Sequence, residues 1–454
     1  MTSLLIRNAA VLVTMDGARR EIQSGGMLIE DGIITAVGVT DELDASADGV
    51  VDLSDHVVLP GLVNTHHHFY QTLTRAVPGA QDVGLFDWLK TLYPIWARMG
   101  SAHLRVSTQV ALAELAMSGC TTAFDHTYLF PNGSSLDDQI EAAAGIGLRF
   151  HASRGSMSLG ESDGGLPPDS VVEDEGSIIE DTMRVIDDHH DGSDGSMTQV
   201  VVAPCSPFSV TPDLMRESAA LARDRGVRLH THLAETMDEE AFCLERFGHR
   251  PVALAEDLGW LDDDAWFAHG VFIDEGESAA MAASNTGLAH CATSNMRLAS
   301  GIAPIRRMLA QGVPIGLGVD GSASNDGSNM LAEVRQALLL ARLDAAPDQR
   351  GGDVIGARAA LELATIGGAK VLGRPDIGSL EVGKQADFIA VDINRLELAG
   401  SHRDPVAAMA LVGVPSVDHS WVGGRPVVVD GRLSTLEIEP VIERHNHLAH
   451  SLYA

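Results

Sequence analysis

Residues 60–73 read PGLVNTHHHFYQTL, an apolar run that stops at three adjacent imidazoles, His66, His67 and His68. Residues two apart on a strand face the same side, so His66 and His68 project together while His67 packs outward. Such a pair can chelate one ion at about 2.0–2.1 Å per nitrogen. The motif recurs in HTHLAE, where His230 and His232 share a face and Glu235 follows. Later runs end in His269, His290 and Asp320. A further imidazole and a carboxylate would complete an N₃O set, which suits zinc or Fe(II) better than calcium or magnesium. Such a set lowers the pKa of a bound water to roughly 7. One ion is expected, because a second commonly needs a bridging carboxylated lysine on the fourth strand of a barrel. No lysine lies between Lys90 and Lys370.

These groups must be delivered by strand ends, and the chain supplies eight short β-rich runs separated by helical patterns, at 59–68, 120–127, 148–155, 199–208, 227–235, 265–271, 287–295 and 313–324. Eight strands alternating with helices predict a closed parallel (β/α)₈ barrel, whose active site lies at the strand C-termini, where the polar residues collect. Both ends of the chain instead read as β-meanders, as in GMLIEDGIITAVG and SVDHSWVGGRPVVVDGRL. They are expected to pair into one small β-sandwich, giving a sandwich part at 1–57, a metal-binding barrel at 58–370, and a second sandwich part with a C-terminal tail at 371–454. The polar loop GESDGGLPPDSVVEDEG after the third run reads as a solvated excursion or lid.

A formal charge of -32 argues against nucleic acid and anionic membrane surfaces as partners. The N-terminus shows no basic segment with an apolar stretch and cleavage site, so a cytoplasmic location is expected. The four cysteines show no CxxC spacing, which argues against a disulfide framework, a thiolate zinc site and the zinc deaminases built on PCxxC. Cys205 has no neighbour that would activate it.

PGLVNTHHH, HTHLAET, AHG, HCATSNMRLASG and GLGVDGSASND, in this order, resemble the amidohydrolase superfamily, specifically its mononuclear aminohydrolases of purines, pterins and triazines. That resemblance implies that His66, His68, His232 and Asp320 bind one metal ion, zinc or iron, that Glu235 shuttles protons, and that His269 contacts the attacking water. Asp320 would also act as general base, and His230 becomes a supporting or core residue. The implied reaction is hydrolytic deamination of an amino-substituted heterocycle, with 8-oxoguanine the expected substrate. Isoxanthopterin, guanine or a hydroxytriazine are the alternatives, and a non-catalytic interaction protein on the same fold is the remote one. A homo-oligomer is expected. Substrate contacts are expected from Gln71, whose amide both donates and accepts, from Trp88, which can stack on a flat ring, and from Arg154, placed to meet a ring carbonyl or to pair with an acid on the same rim.

Overall fold

The apolar run expected to form one strand is divided in two. In the computed structural model, which describes residues 3–44, 46–344 and 355–453, His56–Pro60 belongs to an outer sheet and Leu62–Asn64 is the first barrel strand. Gly61 is the crossing point: a Cβ there would lie 2.1 Å from Thr121 Oγ1, so only glycine lets the chain pass. His66, His67 and His68 therefore follow the strand rather than lie on it. The alternation survives, because His67 turns away to bond Ser328 Oγ at 2.9 Å and to pack edge-on against Phe69.

Eight parallel strands close the barrel: Leu62–Asn64, Cys120–Asp125, Arg149–Ser156, Thr198–Pro204, Arg228–Leu233, Ala265–His269, Gly287–His290 and Ile315–Leu317. Six lie inside the runs read from the sequence, and Arg149–Ser156 and Thr198–Pro204 each extend one residue beyond theirs. Leu317 registers on Asn64 and closes the ring. Strands such as Cys120–Asp125 and Ala265–His269 are buried on both faces, which is why they read as continuous runs without polar alternation. Helices Ser101–Met117, Leu136–Ala144, Glu175–His189 and Pro212–Arg225 are among those that cover the outside.

The two chain ends meet in one continuous nine-stranded sheet, the form taken by the expected sandwich. Its N-terminal strands reach their C-terminal counterparts where His56–Pro60 pairs antiparallel with Phe388–Asp392. Phe388 stacks on Trp421 at 4.4 Å inside this unit. The sheet is locked to the base of the barrel by Arg149, which makes a two-pronged ion pair with Asp387 at 2.7 and 3.0 Å, both side chains buried. Asp387→Ala should strand the guanidinium and cost about 3–5 kcal/mol. Urea unfolding checks this, and a charge-free double variant, Arg149→Met with Asp387→Leu, should recover much of the loss.

The C-terminal helix Ile438–Ser451 packs along Ser101–Met117 and reaches the loop after the first barrel strand, where His445 Nε2 meets Thr72 Oγ1 at 3.0 Å. No helix among the described residues is long and apolar enough to cross a membrane.

Candidate active site

The residues with chemical potential come from strand ends at one mouth of the barrel. His232 lies near the end of the fifth strand, His269 ends the sixth, and His66, His68, Glu235 and Asp320 follow the first, fifth and eighth. Three backbone positions here are left-handed without being glycine: Ala234 (φ 55), His269 (φ 75) and Asp320 (φ 62). Each such position costs about 1–3 kcal/mol and persists where surrounding structure holds it. For the turn that delivers Glu235 the holder is Glu239, a buried carboxylate that accepts from the Ala234 and Glu235 N–H groups at 2.9 and 2.8 Å.

Backbone carbonyls set the tautomers of the imidazoles. His68 Nδ1 donates to the His126 carbonyl at 2.6 Å and His232 Nδ1 to the Cys205 carbonyl at 2.7 Å. His230 Nδ1 donates to the Trp266 carbonyl at 3.0 Å, which leaves His230 Nε2 to accept from His66 Nδ1 at 2.9 Å. Each of His66, His68 and His232 is thereby left with a bare Nε2 lone pair turned inward. His68 Nε2 and His232 Nε2 face one another at 3.0 Å, and Asp320 Oδ1 lies 3.3 Å from the Nε2 atoms of both His66 and His68. His66 Nε2 has no hydrogen-bond partner among the described residues. Electron pairs aimed together in a buried site repel unless a cation stands between them. The spacing fits one, since a tetrahedron of bonds near 2.0–2.1 Å has edges of about 3.3 Å. His66, His68 and His232, together with His126, form one group able to hold a metal ion, and His66, His269 and Asp320 form a second that overlaps it.

On the open side stand Glu235 and His269. His269 Nδ1 donates to Asn295 Oδ1 at 2.9 Å, and its Nε2 lies 3.5 Å from Glu235 Oε2 and 3.9 Å from Asp320 Oδ2. Burial would lower the His269 pKa, but the two carboxylates outweigh it and hold it above its usual value. Burial pushes Glu235 up to about 7, and its Oε1 has no hydrogen-bond partner among the described residues. Burial would also raise Asp320, yet the imidazoles of His66, His269 and His68 hold it well below the usual carboxylate range. The site thus contains one carboxyl able to carry a proton near neutrality and another that stays ionised.

The pocket above these groups is walled by Leu85, Trp88, Leu89 and Tyr93 of helix Leu85–Trp96, by Gln71 and Tyr128, and by Cys205, Phe208, Leu298 and Ser324. Gln71 and Trp88 therefore line it. Gln71 Oε1 accepts from the Ala323 N–H at 3.3 Å, and the Trp88 indole N–H is spent on the Ala323 carbonyl at 3.2 Å, so Trp88 offers only its ring. Arg154 does not line it, and the carbonyl contact considered for it is withdrawn. Its guanidinium is taken by Asp181 at 2.6 Å and Glu173 at 2.8 Å and sits 4.5 Å over the Phe130 ring. The polar loop after the third strand contributes no wall residue, so the cover is the helix and not that loop.

His290, from the seventh strand, is buried outside this group. Cys205 is inert, its thiol pushed up to about 12 by burial. The sequence left His126 without a role; it follows the second strand, its ring stacks 4.7 Å from His232, and its Nδ1 has no hydrogen-bond partner among the described residues. Its signal was available, since FDHT is one of the strand ends at which polar residues collect. Asn295, which orients His269, sat in a quoted motif without a role.

Residues 57–427 match the amidohydrolase family. The chain is 49% identical over its whole length to 8-oxoguanine deaminase of Pseudomonas aeruginosa, covering 100% of both proteins. It is 38% identical to hydroxydechloroatrazine ethylaminohydrolase of Pseudomonas sp. (strain ADP), over 96% of this chain and 93% of that one. Among solved structures, the zinc complex of atrazine chlorohydrolase from Arthrobacter aurescens TC1 superposes with a TM-score of 0.93 at 33% identity, covering 98% of this chain and 100% of that one. The match spans every barrel strand and the sheet strand that leads into them, and with it this chain is placed in the amidohydrolase family.

Proposed function

We propose that the protein is a deaminase of an amino-substituted heterocycle, converting 8-oxoguanine and water to urate and ammonia, with one zinc ion held by His66, His68, His232 and Asp320. The observation that carries this reading is the set of inward lone pairs fixed by backbone carbonyls, with an ionised Asp320 on one flank and a protonatable Glu235 on the other. The 49% identity to 8-oxoguanine deaminase supports the choice of ring. Bound in this donor set, a divalent cation supplies an activated water at neutral pH. Asp320 takes the proton of the attacking water and His269 holds that water through Nε2. Glu235 gives a proton to the ring nitrogen beside the amine-bearing carbon, which relieves the cost of breaking aromaticity as the bond forms. Asp320 then passes the water's proton to the amine, the C–N bond breaks and ammonia leaves, and the hydroxyl proton returns to Glu235 as the carbonyl forms.

The aromatic and aliphatic wall excludes bulk water and clamps a flat ring, while Gln71 can donate to a ring edge through its Nε2. The protein is further proposed to act as a cytoplasmic homo-oligomer, which size-exclusion chromatography with light scattering tests. An ammonia-release screen over 8-oxoguanine, guanine, isoxanthopterin and hydroxytriazines, on zinc-reconstituted protein, tests the reading directly. Turnover should be highest with 8-oxoguanine. Ammonia from guanine alone would overturn the substrate, and ethylamine release from an N-ethyl hydroxytriazine, without ammonia from any purine, would overturn the deaminase.

A further inference from the structure

Tyr93 is fully buried, lines the pocket, and carries a hydroxyl with no hydrogen-bond partner among the described residues. Buried hydroxyls are nearly always satisfied, so one left open in a pocket wall points to a ligand atom that completes it. Burial raises its pKa well above the usual phenol value, so it stands as a neutral donor.

Its position says which end of a ligand it would meet. The pocket's imidazoles and carboxylates gather at the barrel mouth, and Tyr128 packs edge-on against His68 there at 5.3 Å. Gln71 and Ser324 are tied to the loop after the eighth strand, through the Ala323 N–H and Asp320 Oδ2. Tyr93 belongs instead to the covering helix. Its ring packs on Trp96 at 5.8 Å, and Trp96 packs on Trp88 at 5.5 Å. Among the other wall residues, Leu85, Leu89, Phe208 and Leu298 offer no polar side chain.

In a purine, C2 and C8 lie at opposite ends of the bicycle. Given the reading above, on which this inference rests, an amine-bearing C2 presented to Asp320 and Glu235 turns the C8 oxygen toward the cover. We propose that the Tyr93 hydroxyl donates a hydrogen bond to that oxygen and is the group by which the pocket prefers an 8-oxo purine to one bearing hydrogen at C8. A site that hydrogen-bonds a substrate group discriminates against analogues lacking it, because the buried donor is then left unpaired.

The test uses urate and xanthine, which differ in the C8 oxygen and in the second imidazole-ring N–H that accompanies it, as ligands of the zinc-loaded protein and of Tyr93→Phe, so that the change of their ratio in the variant isolates the hydroxyl. Wild type should bind urate at least about tenfold more tightly than xanthine, and the variant should lose most of that ratio by weakening urate alone. With 8-oxoguanine, Tyr93→Phe should raise KM about tenfold or more with kcat little changed, the pattern of lost uniform binding. Its melting temperature should not fall, because the hydroxyl bonds nothing in the free protein. An unchanged urate-to-xanthine ratio, or equal weakening of both, would make Tyr93 a packing residue and overturn the assignment. Failure of the deaminase reading shows separately, as wild type that releases no ammonia from 8-oxoguanine. Wild type that releases ammonia from 8-oxoguanine yet binds urate no more tightly than xanthine would overturn the assignment alone.

Discussion

Glu235→Gln should lower kcat by roughly 10²–10⁴-fold while leaving the metal content at the wild-type level. The substitution keeps shape and removes the transferable proton. Burial pushes the Glu235 carboxyl up to about 7, so it is mostly protonated at pH 6 and mostly ionised at pH 8. As a proton donor it is active in the acid form, and kcat should fall as pH rises through about 7. The variant should lack that limb. Linkage gives a second reading in metal-free protein. A carboxyl whose folded pKa is raised above its unfolded value near 4.5 contributes fully below that value and loses its contribution as pH rises toward 7. Wild-type stability should therefore fall relative to the variant across that window, by roughly 3 kcal/mol, and level off above it. Near-normal turnover in Glu235→Gln, measured with metal content alongside, would take Glu235 out of the reaction.

The barrel was legible because its strands are short, apolar and separated by helical periods, and because parallel strands buried on both faces need no alternation. The convergence of His66 and His68 was legible for a different reason: a period of two persists in extended chain past the last ladder bond. Gly61 was not legible as a crossing, since nothing local distinguishes a strand that changes sheet from one that continues. The close approach of Thr121 that demands glycine is a tertiary fact. His230 illustrates the same limit from inside the site. Spacing placed it beside His232, but its task of fixing the His66 tautomer depends on the Trp266 carbonyl of the neighbouring strand.

The pocket wall was the least legible part, because a helix inserted between the first two strands builds much of it. Trp88 and Tyr93 are five residues apart in one amphipathic pattern, which a sequence reads as core packing. Arg154 was weighed between a substrate carbonyl and an acid. Its partners, Glu173 and Asp181, lie in and beyond a long polar loop whose path no local rule predicts. Where long-range pairing satisfies a charge, the strand-end rule overstates its availability to substrate.

Asp320→Asn should be the more damaging change, lowering both metal content and turnover, the latter beyond the loss from Glu235→Gln. The substitution isolates charge. Asp320 sits at φ 62, a left-handed position that asparagine tolerates as well as aspartate. The Gly321 N–H, which holds Oδ1 at 2.7 Å, can bond the asparagine amide oxygen, and Ser324 Oγ, 3.2 Å from Oδ2, can accept from the amide N–H that would stand there. Backbone strain and packing are therefore nearly unchanged, while the one anion among inward-facing neutral imidazoles is removed, together with the acceptor for the water's proton. Metal that binds the folded state and not the unfolded chain raises the melting temperature. Wild type should lose that increment to a chelator, and Asp320→Asn should melt near the chelated wild type whether or not chelator is present. A variant that retains one ion per chain and a chelator-sensitive melt would show that the imidazoles alone hold the metal, leaving Asp320 only its part in proton transfer.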